Sequence, residues 1–379
     1  MRNSDQAFGR NFTFSFACNV CVISNLVFFL YFNRYLETLG ATAAQIGLFM
    51  GAFALGSVVS RPTVGVSVDK YGRKRVLYFG LSLMLLANAG YFLCRELNWL
   101  IIAVRVLHGA GFGCYITAIF TIVVDDTPAA RRAKVIGVFG LSGMSTYALV
   151  PIVAEFILEH RGFKSLFAAA LLMLVLSVFI SRFLEEHSPS ELEFPPIGFI
   201  TLMRQIDLFI PVGALFFYCT GAGALFNFIA VYLAPRDISI SYFFIASSTA
   251  GAIVRLYLGH LADVYGRRLV ALPAFAAGSV ALLWLGLFHF RWELLLCGLL
   301  WGVGIGFAVP AVAASIVDRV HPQDRGKGLA LFTASFDTGV MAGSFTYGAV
   351  AVHIGYAHMY VVAAAVMLVA IAIARFFRN

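Results

Sequence analysis

The stretch Gly65-Val66-Ser67-Val68-Asp69-Lys70-Tyr71-Gly72-Arg73-Lys74-Arg75 returns later in the chain as Gly259-His260-Leu261-Ala262-Asp263-Val264-Tyr265-Gly266-Arg267-Arg268. Gly65 and Gly259, Asp69 and Asp263, Gly72 and Gly266, and Arg73 and Arg267 each stand 194 residues apart, as do Arg61 and Arg255 upstream. A second echo agrees to within one residue. Gly109-Ala110-Gly111-Phe112-Gly113 matches Gly302-Val303-Gly304-Ile305-Gly306 at an offset of 193, as Asp125, Arg132 and Lys134 match Asp318, Arg325 and Lys327. In a chain of 379 residues this indicates a duplicated domain whose copies run in the same direction.

Long apolar runs flank both copies, so each basic stretch is expected to be a short loop between membrane helices. Only 12% of residues are charged, against about 25% in a soluble domain. Mean hydropathy is +0.88. A span needs about 20 apolar residues, and twelve spans fit. They are expected near 12–32, 45–65, 76–94, 99–123, 134–158, 164–184, 208–233, 242–262, 269–288, 293–316, 328–352 and 358–376. The first run has no small-residue cleavage site and is read as a retained span. Residues 185–207, with four glutamates and three prolines, break the pattern. They are expected to link an N-terminal unit, 1–184, to a C-terminal unit, 208–379. The fold expected is an all-α membrane protein. Its twelve transmembrane helices form two six-helix bundles related by a parallel pseudo-two-fold repeat, with substrate bound between them.

The net charge of +8 is topological and does not point to nucleic acid. With twelve spans, one side receives only Arg34, Arg95, Arg161, Lys164, Arg236 and Arg291, while Arg61, Arg105 and Arg255 fall inside spans. The other basic residues gather on the opposite side, which places both termini in the cytoplasm of an inner membrane. All six cysteines lie in apolar runs, so Cys18-x-x-Cys21 reads as ordinary membrane residues. No Gly-x-Ser-x-Gly, His-Glu-x-x-His or phosphate-binding loop occurs. Neither an enzyme nor a resident cofactor or metal is expected. Partners are a small-molecule substrate, protons and the lipid bilayer, and the chain is read as a monomer.

Gly65-x-x-x-Asp69-Lys70-x-Gly72-Arg73-Lys74-Arg75 resembles the loop 2–3 signature of the major facilitator superfamily, and Gly259–Arg268 resembles its weaker copy in loop 8–9. Arg105-x-x-His108-Gly109-x-Gly111 resembles the fourth-helix motif of proton-coupled members. Ser60-Arg61-Pro62 and Phe336-Asp337-Thr338-Gly339 are similar to bacterial efflux members that export drugs, sugars or metallophores. The resemblance implies alternating access. Val150-Pro151-Ile152-Val153-Ala154-Glu155 keeps the proline of the helix-five antiporter signature and lacks its paired glycines.

Candidate residues follow from burial and symmetry. Gly65 and Gly72, like Gly259 and Gly266, would permit close helix approach and a tight turn. Asp69 and Asp263 would accept hydrogen bonds from a helix end or an arginine, and with Arg73 and Arg267 form a conformational gate. Arg61 and Arg255 are repeated and belong to that scaffold. Arg105, Glu155 and Asp337 are ionisable, lie in spans and are not repeated; their counterparts are Gly298, Gly348 and Met144. Asp337 is a proton carrier or, where the family fold brings helices two and eleven together, a permanent partner of Arg61. Arg105 would hold an anionic group or tune a neighbouring acid, and Glu155 is a site or a rim carboxylate. Asn25, His108, Tyr147, Tyr218, Asn227 and Trp301 are the neutral candidates for substrate contact. The function expected is proton-coupled efflux of a small amphipathic or zwitterionic solute. Alternatives are uptake of a sugar or organic acid, lipid flipping, or a receptor that binds without translocating.

Overall fold

A computed structural model describes residues 9–125, 127, 132–185, 206–320 and 325–377, which are helical without strands among the described residues. Helix α1 (Arg10–Thr38) passes through a 3-10 turn at Phe29–Tyr31. It is followed by α2 (Ala43–Tyr71), α3 (Arg73–Tyr91) and α4 (Trp99–Asp125). Thr42 starts α2 with a capping box, its hydroxyl accepting from the Gln45 N–H and Gln45 returning a bond to the Thr42 N–H.

Arg132–Ser181 is 50 residues of continuous helix in name only. At 1.5 Å per residue it would run about 75 Å, more than twice a hydrocarbon core of about 30 Å. Gly162, at φ 71°, divides it into α5 (132–161) and α6 (163–181). Gly355, at φ 76°, divides Arg325–Ala374 in the same way into α11 (325–354) and α12 (356–374). Between them lie α7 (Ile206–Leu233), α8 (Ser241–Ile253), α9 (Arg267–Leu287) and α10 (Glu293–Val317). A π-helical turn, Val254–Leu258, and a short helix, Leu261–Val264, extend α8. Among the described residues, eight helical stretches are long and apolar enough to cross a membrane, the two bent ones counted once each.

The basic stretches are helix rather than loop. Helix α2 continues to Tyr71, and only Gly72, at φ 95°, separates it from α3. In the second stretch the turn Gly259–His260 leads into the short helix Leu261–Val264, and the bend at Tyr265 with Gly266, at φ 89°, precedes α9. A left-handed turn made by one glycine needs no further loop residues. Gly65 and Gly259 do not seat a close helix approach as expected. A Cβ on Gly65 would meet nothing within 4 Å, and one on Gly259 only atoms of its own helix turn. The side chains of Asp69 and Asp263, and residues 186–205 of the linker, lie outside the described residues.

Packing repeats along with the sequence. Gly109 of α4 lies so close to α2 that a Cβ would fall inside the Phe53 carbonyl, and Gly302 of α10 is pressed equally against the Ser247 carbonyl of α8. Gly111 faces the Gly80 carbonyl and Gly304 the Ala274 carbonyl, with Cβ positions 2.7 and 2.9 Å away. The main apolar core joins residues of both chain halves, such as Phe32, Phe49, Phe228 and Phe243. A separate core near the Gly72 turn draws only on the N-terminal helices, including Cys18, Val64, Leu77 and Ile122. The two sets of helices thus share one core, and near the Gly72 turn the N-terminal helices have a further core of their own.

Candidate functional site

Arg61 and Asp337 lie where α2 meets α11, and Tyr147, Glu155 and Arg255 where α5 meets α8. Ser57 and Arg61 are four residues apart on α2 and share one face. From α11, the Asp337 Oδ2 accepts from Arg61 Nε at 2.9 Å, Arg61 Nη2 at 2.6 Å and Ser57 Oγ at 2.8 Å. The pair is largely enclosed, the side chains 9% and 15% exposed. Three charge-assisted bonds on one oxygen make this a strong contact between N- and C-terminal helices.

At the end remote from the basic turns, Glu155 of α5 reaches the start of α8. One oxygen accepts the Ile240 N–H at 3.0 Å, and the other accepts the hydroxyls of Ser241, at 3.0 Å, and Ser239. A carboxylate satisfying the free donors of a helix N-terminus is favoured twice, by hydrogen bonding and by the helix dipole. Just inside this contact, Tyr147 of α5 stacks on Phe226 at 5.6 Å and on Phe244 at 5.5 Å. Asn227 bonds Ser344 through its side chain, and its carbonyl accepts from Asn33 of α1 at 2.8 Å. Together these close that end.

The gate arginines make contacts within each set. Arg73 Nε lies 2.9 Å from Asp125 Oδ2 and Arg267 Nε 3.5 Å from Asp318 Oδ2, so the same pair forms at both basic turns. Arg255 sits in the π turn of α8 with its guanidinium against Gly140 of α5, and its enclosed Nε has no hydrogen-bond partner among the described residues.

Arg105 is buried at 4% exposure and has no carboxylate partner among the described residues. It donates to the carbonyls of Phe49 at 3.2 Å and Met50 at 3.1 Å, and lies over the rings of Phe32 and Phe53. His108 and Asn25 belong to a buried network within the N-terminal helices. The Asn25 amide nitrogen donates to Asn88 Oδ1 at 2.8 Å and to the Ala170 carbonyl at 2.9 Å. Its oxygen therefore accepts from His108 Nε2 at 3.0 Å, and His108 Nδ1, left as acceptor, takes the Tyr91 hydroxyl at 3.1 Å. That assigns a neutral imidazole. Tyr218 and Trp301 stack at 5.7 Å inside the C-terminal helices, both fully enclosed. The six cysteines are free and buried.

Against this geometry, the sequence profile of the Major Facilitator Superfamily matches residues 12–246 and 208–379. The chain belongs to that superfamily. A superfamily member is a transporter and not an enzyme. Among relatives, an uncharacterized transporter of the superfamily from Methanocaldococcus jannaschii is 24% identical over 349 residues, covering 86% of this chain and 87% of its own. The quinolone resistance protein NorA of Staphylococcus aureus is 24% identical over 288 residues, covering 73% and 74%. Two solved structures share the fold. The human organic anion transporter TETRAN has a TM-score of 0.76 at 17% identity, covering 96% of this chain and 99% of its own. The nucleoside transporter NupG has a TM-score of 0.75 at 15% identity, covering 96% and 100%.

Several residues of this superfamily member escape a reading by sequence. Ser57 carries a signal, its spacing from Arg61, as does the pairing of Arg73 with Asp125, since both recur together in the second half. Ser239 and Ser241 carry none, because Glu155 is held partly by a backbone N–H. Glu155→Ala removes all three bonds at that end. The expected result is a shift of about 2 kcal/mol, roughly thirtyfold, toward separation of α5 and α8. The check is the distance between spin labels at Glu159 and Tyr242, which should lengthen and broaden relative to the parent protein.

Proposed function

We propose that this chain is a proton-coupled exporter of a small amphipathic or zwitterionic solute. It works by alternating access between two six-helix halves, residues 1–184 and 208–379, joined by 185–207. The basic turns at Gly72 and Gly266 face the cytoplasm, as do both termini, and the host membrane is a bacterial inner membrane. The repeat supports two halves: the glycines that bend the long helices, the ion pairs at the basic turns and the glycine contacts of α4 and α10 all recur at offsets of 193 or 194. Closure at the Glu155 end, with an N-terminal core of its own near the Gly72 turn, supports reading this as a state of such a cycle that opens toward the cytoplasm. The relationship to the quinolone resistance protein favours export and an amphipathic solute.

The observation that carries the proposal is the Ser57–Arg61–Asp337 cluster. It joins the halves through one carboxylate, and protonating that carboxylate weakens the bonds from Arg61. A proton thus acts directly on the contact that must change when the halves rock. The test uses inside-out vesicles with an acidified lumen and a pH-sensitive dye. A panel of cationic drugs, metal chelates, sugars and carboxylates is added one at a time. Export predicts that at least one solute dissipates the gradient only when this protein is present. No response to any of them, with uptake in right-side-out vesicles, would refute export.

A further inference from the structure

The cluster at α2 and α11 has a counterpart from which the acid is missing. Arg61 corresponds to Arg255 and Ser57 to Gly251, both at an offset of 194, and Asp337 corresponds to Met144 at 193. The structure puts these counterparts together. The Met144 Cε lies 2.8 Å from where a Cβ on Gly251 would stand, and Arg255 Nη1 lies 2.6 Å from where a Cβ on Gly140 would stand. Met144 therefore occupies the place of Asp337, and glycine at 140 leaves room for the guanidinium. Arg255 forms no ion pair among the described residues, and its Nε is enclosed and unpartnered. Arg255 as a whole is half-buried, so its remaining donors stay accessible while Nε is shut away from water. A donor enclosed in this way without an anion is costly, and a carboxylate is the planar group that the fork of a guanidinium matches. Two further features adjoin it. The π turn that carries Arg255 is a kind of distortion common at functional sites. Tyr147, one turn from Met144, presents aromatic surface with Phe226 and Phe244.

We propose that Arg255 receives a carboxylate of the transported solute, which completes between α5 and α8 the bridge that Asp337 completes between α2 and α11. This deepens the proposed function and rests on it: the solute is an amphipathic acid or zwitterion with an aromatic body. Its arrival ties the two halves together at a second point, so loading and conformational change are linked at the same interface. Met144, apolar and flexible, yields space without offering a competing charge.

The test measures binding to the full-length protein in nanodiscs, using nalidixic acid and 2-naphthoic acid, each beside its uncharged primary amide. The parent protein should prefer each acid to its amide by about tenfold. Arg255→Gln should bring that ratio to about one. Met144→Asp should do the same while keeping the arginine, because the new carboxylate fills the place. The second variant also raises the thermal midpoint, which a merely damaged protein would not do. Nanodiscs of phosphatidylcholine and of phosphatidylglycerol separate the two sources of an anion. If the preference disappears in the anionic lipid, the position belongs to a lipid phosphate and the proposal fails. Equal binding of acid and amide by the parent, or a preference that survives in both variants, overturns it and leaves the transporter assignment standing. If the parent binds none of the four probes, the proposed solute class falls, and this inference with it.

Discussion

Asp337→Asn is expected to yield a folded protein that no longer moves solute uphill. Asparagine keeps the shape and an oxygen for Ser57 and Arg61 but has no carboxyl proton to carry. It also leaves Arg61 as an uncompensated charge in an enclosed place, where breaking a buried pair costs about 3 kcal/mol. The thermal midpoint should therefore fall while the protein stays monodisperse, and solute-driven loss of an acid gradient should drop to that of empty vesicles. The exchanged pair, Arg61→Asp with Asp337→Arg, separates stability from coupling. It should recover most of the thermal loss because the ion pair reforms across α2 and α11. It should not recover uphill transport, because the carboxylate now sits on the other helix. Normal uphill transport by Asp337→Asn would remove Asp337 as the coupling group and leave it a structural partner of Arg61.

The second large effect concerns helix packing. Gly109→Ala and Gly302→Ala place a methyl group inside the carbonyls of Phe53 and Ser247, which are backbone atoms and cannot rotate away. Each substitution must push α4 from α2, or α10 from α8. Overpacking of this kind costs about 3 kcal/mol. The two variants should lose thermal stability to similar degrees, because the contact is the same one in each half. Gly137→Ala is the control, since a Cβ there meets nothing within 4 Å. It should be neutral or slightly stabilising, alanine being the better helix former. A control that falls as far as the other two would show that glycine matters there for reasons other than packing.

These contacts also show what could be read from the residues in order. The duplication was legible because Gly72, Arg73 and Asp125 recur in phase with Gly266, Arg267 and Asp318, and the structure gives both sets the same geometry. The meeting of Arg61 with Asp337 was legible as one of two alternatives, since lipid leaves ionisable groups few places to go. Tyr147 and Tyr218 looked alike in sequence, yet Tyr147 bridges the two sets of helices while Tyr218 is enclosed within one of them. Asn25 and Asn227 do not divide this way by their side chains: each bonds within its own set, to Asn88 and to Ser344, and only the Asn227 backbone carbonyl reaches across, accepting from Asn33. Helical periodicity tells the lipid-facing side of a helix from the rest. It does not tell the face toward a neighbouring set from the face toward its own bundle, since both are shielded from lipid. The end of α2 was misplaced for a different reason. Charge in Lys70 and Arg73 suggests a loop, but the helix continues past the apolar run and stops only where Gly72 adopts a positive φ.

The proposed cycle requires the Glu155 contact to open and close for solute to cross. The most direct measurement joins Glu155→Cys and Ser241→Cys with a short, reducible bifunctional thiol reagent and follows transport in the same vesicles. The six native cysteines are buried, and the parent protein treated identically reports any reaction at them. Transport should stop as the cross-link forms and return when it is reduced. Transport that continues at full rate with the cross-link complete would show that α5 and α8 need not part, and would contradict alternating access through that end.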